Sequence, residues 1–247
     1  MNRNPKYRGL TFALSMAALI LGLSCPPTVF AQGANSAVFA PGQKISGSSY
    51  AQWSQAWWQW LLAIPANRNP QNDTSGQFCA TNQPANQSPT PVPVWYLAGS
   101  SSGQPVTRSC TVSSTNSIFF PLINVECSTR DDPPFHCTDE ASCRACAKSF
   151  ANEIGVDTLN VSIDGVAANG LQNFRFQSPD FFLFTLPPNN ILKAPGGGTG
   201  FSTSDGYYVM LKPLPPGTHT VQFGGALSSG PFAGFTVNVM YTLTVTP

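Results

Sequence analysis

Charge is what this chain has least of. Only 9% of its 247 residues are Asp, Glu, Lys or Arg, and the formal net charge is +1. A chain so sparse and so balanced in charge offers no electrostatic footprint for nucleic acid. It also lacks the basic stripe of a helix that lies on a membrane surface. Histidine is nearly missing, with His136 and His219 alone, so few side chains can exchange protons near neutral pH. There is no internal repeat. Pro195-Gly-Gly-Gly-Thr-Gly200 is glycine-rich but no Lys-Ser or Lys-Thr follows it, which makes it a flexible loop and excludes a phosphate loop. Long apolar runs are absent as well. Thr11 to Leu23 is uncharged and mostly apolar, yet too short for a comfortable membrane span.

That short run sits behind Arg3, Lys6 and Arg8 and ahead of Val29-Phe30-Ala31. A positive leader, an apolar segment and small residues at a cleavage site make residues 1–31 a secretory signal peptide. Ser24-Cys25 raises lipidation at Cys25 as the alternative. A lipobox wants a large aliphatic residue three places before the cysteine, and Gly22 stands there. Cleavage after Ala31 is therefore favoured. The expected product is a secreted or periplasmic protein with no membrane span in the mature chain. Residues 32–247 suffice for one domain with long loops and a sizeable core.

Export leaves six of the seven cysteines: Cys79, Cys110, Cys127, Cys137, Cys143 and Cys146. An even number in an oxidising compartment predicts three disulfides, with several connectivities formally open. The favoured set is Cys79–Cys110, Cys127–Cys146 and Cys137–Cys143. Cys143 and Cys146 lie one helical turn apart, so each can reach back to the loop before its helix. A zinc site drawn from Cys127, His136, Cys137, Cys143 and Cys146 is the weaker reading, because oxidation favours the bridges. A thioredoxin-like Cys-x-x-Cys would need a βαβ context that is missing.

The strongest local pattern runs from Tyr50 to Ile64. Tyr50, Trp53, Trp57, Trp60, Leu61 and Ile64 fall on one stripe of a helix, Ser48 or Ser49 can cap it, and Pro65 ends it. Trp58 lies on the shoulder of the stripe. The segment from Asn67 to Pro93 is rich in Asn, Gln, Pro and Ser and reads as a long loop stapled by Cys79. Beyond it the period switches to two. Strands are expected over Val92–Ala98, Val106–Val112, Ser117–Ile123, Leu159–Ile163, Asn173–Phe176, Phe181–Leu186, Tyr207–Leu211 and Thr218–Phe223. Asp164-Gly165 and Asp205-Gly206 read as turns. The last strand is the clearest, with Phe235, Val237, Val239, Tyr241, Leu243 and Val245 on one face. A short helix capped by Asp139 runs toward Glu153. Many short strands and only two helices predict a mainly β protein: an antiparallel β-sandwich with an N-terminal Trp-rich helix and one short disulfide-linked helix.

Several of these segments carry a resemblance. Trp53-Ser-Gln-Ala-Trp-Trp-Gln-Trp60, Val94-Trp-Tyr-Leu-Ala-Gly99, Arg108-Ser-Cys-Thr-Val112, Ile118-Phe-Phe-Pro-Leu-Ile-Asn-Val-Glu-Cys127 and Arg144-Ala-Cys-Ala147 are involved. So is the stretch from Asp205 to Thr220. Together they resemble a group of exported bacterial proteins without an established activity. The resemblance implies an exported compartment and bears on the expected architecture. It assigns no functional residue.

No catalytic motif rises above its structural background. Gly99-Ser-Ser-Ser-Gly103 matches the elbow of serine hydrolases, and Asp180 or Asp205 with His219 would complete the chain order. An elbow must lead into a helix, whereas Gln104-Pro105-Val106 leads into a strand, so a Ser/Gly turn explains the match. His219 is in phase with Val221 and Phe223 and reads as a satisfied, partly buried histidine. Glu126, Asp131, Asp132 and His136 form the densest ionisable stretch. They are the candidate ligand or cation site, although the spacing of a calcium loop is missing. Four tryptophans in one helix could offer a stacking platform; the continuity of the stripe favours core packing, and Trp58 is the ring to test for ligand contact.

The functional expectation is an exported binding or structural protein that uses no cofactor and takes an uncharged ligand such as a glycan. The rival is an extracellular hydrolase using Glu126 with Asp131 or Asp132. That chemistry would need the two carboxylates about 5–10 Å apart across a cleft.

Overall fold

The computed structural model describes residues 37–87 and 92–247. The signal-peptide and lipidation readings fall on residues 1–31, outside that range. Helix α1 spans Tyr50–Leu62. Ser49 caps it, and Gln52 returns its side chain to the Ser49 amide, which satisfies two donors at the helix start. At the other end Asn69 donates to the Leu61 and Ile64 carbonyls at 2.8 and 3.2 Å, so the chain leaves the helix just before Pro65.

Ten strands occur among the described residues: β1 (Val94–Tyr96), β2 (Val106–Ser113), β3 (Ser117–Ser128), β4 (Asn160–Ile163), β5 (Val166–Ala167), β6 (Arg175–Gln177), β7 (Phe182–Leu186), β8 (Gly198–Leu211), β9 (Gly217–Ala226) and β10 (Thr236–Thr246). Helix α2, Glu140–Ala151, is capped by Asp139 and lies between β3 and β4. The strands form two five-stranded sheets. In the first, β1, β3, β8 and β6 lie side by side, and β7 also pairs with β8. The second has the order β2-β10-β9-β4-β5. Both sheets are mixed, which corrects the purely antiparallel expectation. β1 runs parallel to β3, and β2 runs parallel to β10. The Ser/Gly segment between β1 and β2 is therefore a connection between sheets and not a hairpin.

β8 is longer than its periodicity suggests. Asp205-Gly206 sits inside it and not at a turn. The reason is steric: a Cβ on Gly206 would lie 2.5 Å from Asn124 Cα on the neighbouring strand. Glycine is here the residue that lets β3 and β8 approach, a role that resembles a turn signal in sequence.

One continuous core draws on α1 and both sheets. Phe120 on β3 meets Phe223 on β9 with ring centroids 4.5 Å apart. All four tryptophans of α1 are buried. Each indole N–H has an acceptor: Ile45 O for Trp53, Leu97 O for Trp57, Tyr208 Oη for Trp58 and Thr81 O for Trp60. Apolar burial of rings with satisfied N–H groups is what a core role demands. Trp58 departs from expectation, since at 7% exposure it is as buried as Trp60.

The three disulfides are Cys79–Cys110, Cys127–Cys146 and Cys137–Cys143, the favoured set among the open connectivities. The last two tie β3 and the loop after it to α2. They build a second, smaller core with Ala147 and Phe150. No helix among the described residues is long and apolar enough to cross a membrane.

Candidate functional site

A cavity of about 450 Å³ opens where β3, the loop after it, α2 and the β9–β10 connection meet. This is within the usual range for small-molecule sites. Aromatic rings dominate its wall: Trp58, Phe135, Phe150, Phe232 and Phe235. Val125, Ile191, Leu192 and Leu227 add aliphatic surface, and a deeper recess of about 90 Å³ shares Trp58, Asn124 and Phe235 with it. The polar lining consists of Gln71, Asn72, Ser101, Asn124, Glu126 and Asp131. No lysine, arginine or histidine is among the lining residues.

Glu126 is the unusual member. It is 6% exposed. Its Oε2 accepts from the Ser202 hydroxyl of β8, while Oε1 has no hydroxyl, amide or guanidinium donor. The Asp131 carboxyl comes within hydrogen-bonding reach, but a carboxyl donates only while protonated. Burial, and then the Asp131 charge, raise the Glu126 pKa well above the usual carboxylate range. Asp131 is raised too, chiefly by burial, against the Ser128 hydroxyl that favours its ionised form. Like charges this close do not both ionise readily, so a shared proton satisfies the contact.

The loop carrying Asp131 is held firmly. Ser128 Oγ donates to Asp131 Oδ2 at 2.6 Å, and the Ser128 amide and carbonyl bond Phe135 O and the Cys137 amide. The Cys127–Cys146 and Cys137–Cys143 bridges close both ends of this loop onto α2. A sequence rich in Asp and Pro thus becomes a stapled turn that presents one carboxylate inward. Asp132 is exposed and does not reach the cavity; His136 is exposed too, with its Nδ1 3.1 Å from the Asp131 carbonyl. Of the expected cluster, the structure brings Trp58, Glu126 and Asp131 together and leaves Asp132 and His136 outside.

Behind the carboxyl pair, Tyr208 Oη accepts from Trp58 Nε1 and Asn124 Nδ2, each at 3.2 Å. Burial pushes its pKa up to about 12, so it acts as a neutral strut joining two lining residues. On the outer rim, Phe232 packs against Phe135 and Phe150 at centroid distances of 5.5 and 5.8 Å. Its loop is pinned at Gly230, which has φ +75 and whose Cβ would fall 2.1 Å from the Glu153 carboxylate carbon.

Two further residues matter that the sequence reading passes over. Arg108, 1% exposed, donates to the carbonyls of Asp73, Ala98, Gly99 and Gln71 and to Tyr241 Oη. It thereby fastens the Gln71-Asn72 wall of the cavity to the sheet. Phe232 lies in Ser-Gly-Pro-Phe-Ala-Gly, a turn composition in which a large ring is out of place; that mismatch was its available signal.

The hydrolase triad does not assemble. His219 bonds Asp164 at 2.7 Å and Pro215 O at 2.9 Å, and Asp205 pairs with Arg175. Among the described residues, no group of three or more His, Cys, Asp or Glu is arranged to hold a metal ion. The four cysteines of the zinc reading, Cys127, Cys137, Cys143 and Cys146, are all bridged. Comparison with protein-family models, curated proteins and solved structures finds no match for this chain.

Proposed function

We propose that the chain is an exported small-molecule-binding protein, and that its two sheets form a sandwich-like scaffold for the cavity beside Glu126. The observation that carries this reading is a cavity of about 450 Å³ with a mostly apolar wall and one carboxyl pair, Glu126 and Asp131, among its few polar lining groups. A carboxyl pair that shares a proton keeps free acceptor capacity. A ligand with an apolar body and a hydrogen-bond donor matches both parts of the wall. The wall is more enclosed and more apolar than an open stacking platform, so an apolar molecule fits better than the glycan suggested by the tryptophans.

The hydrolase reading draws on the same pair, because two carboxyls that share a proton can activate water. A glycosidase arrangement is disfavoured: carboxyls in hydrogen-bonding reach leave no room for the sugar bond between them. The test is a thermal-shift screen with small apolar compounds and neutral oligosaccharides, run on the native chain and on Leu192→Trp, which fills the cavity. Stabilisation by apolar compounds that Leu192→Trp abolishes supports the proposal. Stabilisation by oligosaccharides alone, or none by any compound, refutes it. Turnover of an ester or glycoside promotes the hydrolase.

A further inference from the structure

The polar end of this cavity is acidic, and nothing in its wall neutralises it. Glu126 and Asp131 lie within hydrogen-bonding reach of each other, and no hydroxyl, amide or guanidinium donates to Glu126 Oε1. Once the first of its two protons leaves, the pair holds a negative charge inside a pocket of low polarity. Nearby hydroxyls do not remove that charge: Ser202 serves Oε2 of Glu126, and Ser128 serves Asp131 Oδ2. His136 sits on the outer side of the loop and is exposed, with its Nδ1 against a backbone carbonyl.

The remaining wall is suited to a cation with an apolar body. Trp58, Phe135, Phe150, Phe232 and Phe235 surround the space, and aromatic faces attract ammonium groups, most strongly where water is excluded. An ammonium also brings several donors to a carboxyl pair whose oxygens outnumber the donors around them. A carboxylate or phosphate ligand would meet repulsion at the same place. A neutral ligand could hydrogen-bond the pair but would leave its charge unpaired.

We propose that the cavity is selective for primary ammonium compounds with an aromatic or alkyl body, the ammonium sitting at the Glu126–Asp131 pair. This rests on the reading of the cavity as a ligand site. It predicts a ranking of head groups that the cavity reading alone does not.

Three fluorescent probes share a dansyl body and a five-carbon chain. They end in an ammonium (dansylcadaverine), a methyl group (N-pentyl dansylamide) or a carboxylate (the dansyl amide of 6-aminohexanoic acid). Titration of the intact protein at neutral pH and low salt should give the ammonium probe at least about a tenfold advantage in Kd over the methyl probe. The carboxylate probe should bind weakest. In Glu126→Gln/Asp131→Asn, which keeps the shape and removes the charge, the first two probes should bind about equally. Equal affinity for the ammonium and methyl probes in the native protein would overturn the inference and leave the cavity reading standing. So would an ammonium preference that persists in the double variant. Failure of all three probes to bind would overturn both. If the double variant does not fold, acetylation of the dansylcadaverine amine provides the same comparison on the native protein, with loss of the advantage expected and its retention contrary.

Discussion

Replacing Arg108 by Met should destabilise the protein and loosen the cavity wall together. The guanidinium makes five hydrogen bonds, at 2.6 Å to Asp73 O, 2.7 Å to Ala98 O, 3.0 Å to Gly99 O, 2.8 Å to Tyr241 Oη and 3.3 Å to Gln71 O. Met fills much of the same volume but donates nothing. Ala98 O would keep a donor, since Tyr241 Oη already donates to it at 3.1 Å. The carbonyls of Asp73, Gly99 and Gln71 would lose this one. At about 1–3 kcal/mol for each buried acceptor left unpaired, the loss over three carbonyls sums to about 3–9 kcal/mol. Water can reach Gln71 and Gly99, which are only half-buried, so the lower end is expected. An opposing effect is real: a buried charge costs desolvation energy, and apolar replacement sometimes stabilises. Here every guanidinium nitrogen already has an acceptor, so the loss of partners should win. Urea unfolding should show a drop of about 3–4 kcal/mol, with Arg108→Lys between the variant and the native protein. Amides of the 71–73 loop should exchange faster and probe binding should weaken. Equal or greater stability of Arg108→Met would refute the reasoning.

Trp57→Ala should cost about 3–5 kcal/mol, as expected for a deleted core ring, and thermal melts of that variant read it directly. Trp58→Phe keeps most of the ring and loses the bond to Tyr208, so a smaller cost of about 1 kcal/mol is expected, together with altered probe binding. Non-reducing peptide mapping should recover Cys79–Cys110, Cys127–Cys146 and Cys137–Cys143, with no free thiol among them. Removing Cys137–Cys143 by double Ser substitution should weaken probe binding more than removing Cys79–Cys110, because it releases the Asp131 loop. The pH dependence has a definite sign. Glu126 is raised by burial and then by Asp131, so the stability it contributes is complete below the unfolded carboxyl value and declines as pH rises through the folded one. Glu126→Gln should therefore flatten the alkaline side of the melting-temperature profile, and an unchanged profile would show that this carboxyl does not titrate as described.

Much of the scaffold was legible because local rules and tertiary needs agreed. The Trp stripe marked α1, Ser49 was an available cap, and the even cysteine count implied three bridges, with their pairing left open. The period of two in Val106-Thr-Arg-Ser-Cys-Thr-Val112 placed Arg108 on the inward face with Val106, Cys110 and Val112, and the observed burial follows that alternation. Its meaning was not legible, because its acceptors are backbone carbonyls from residues 71–73 and 98–99, which no side-chain pattern announces. Strand direction was hidden for a similar reason. Nothing in Val94-Trp-Tyr96 distinguishes a parallel neighbour from an antiparallel one. Gly206 was misread because close strand approach and tight turns call for the same residue. The candidate site was half visible. Glu126, Asp131 and Trp58 stood out by type, whereas Phe135, Phe150 and Phe232 converge only through the disulfide-tied loop and the β9–β10 connection.

A crystal structure of the protein soaked with dansylcadaverine tests the central claim most directly. The dansyl body should lie inside the cavity among Phe135, Leu192 and Phe235, with the amine nitrogen about 2.7–3.1 Å from a carboxyl oxygen of the Glu126–Asp131 pair. A cavity holding only water, with the probe elsewhere on the surface, would contradict it.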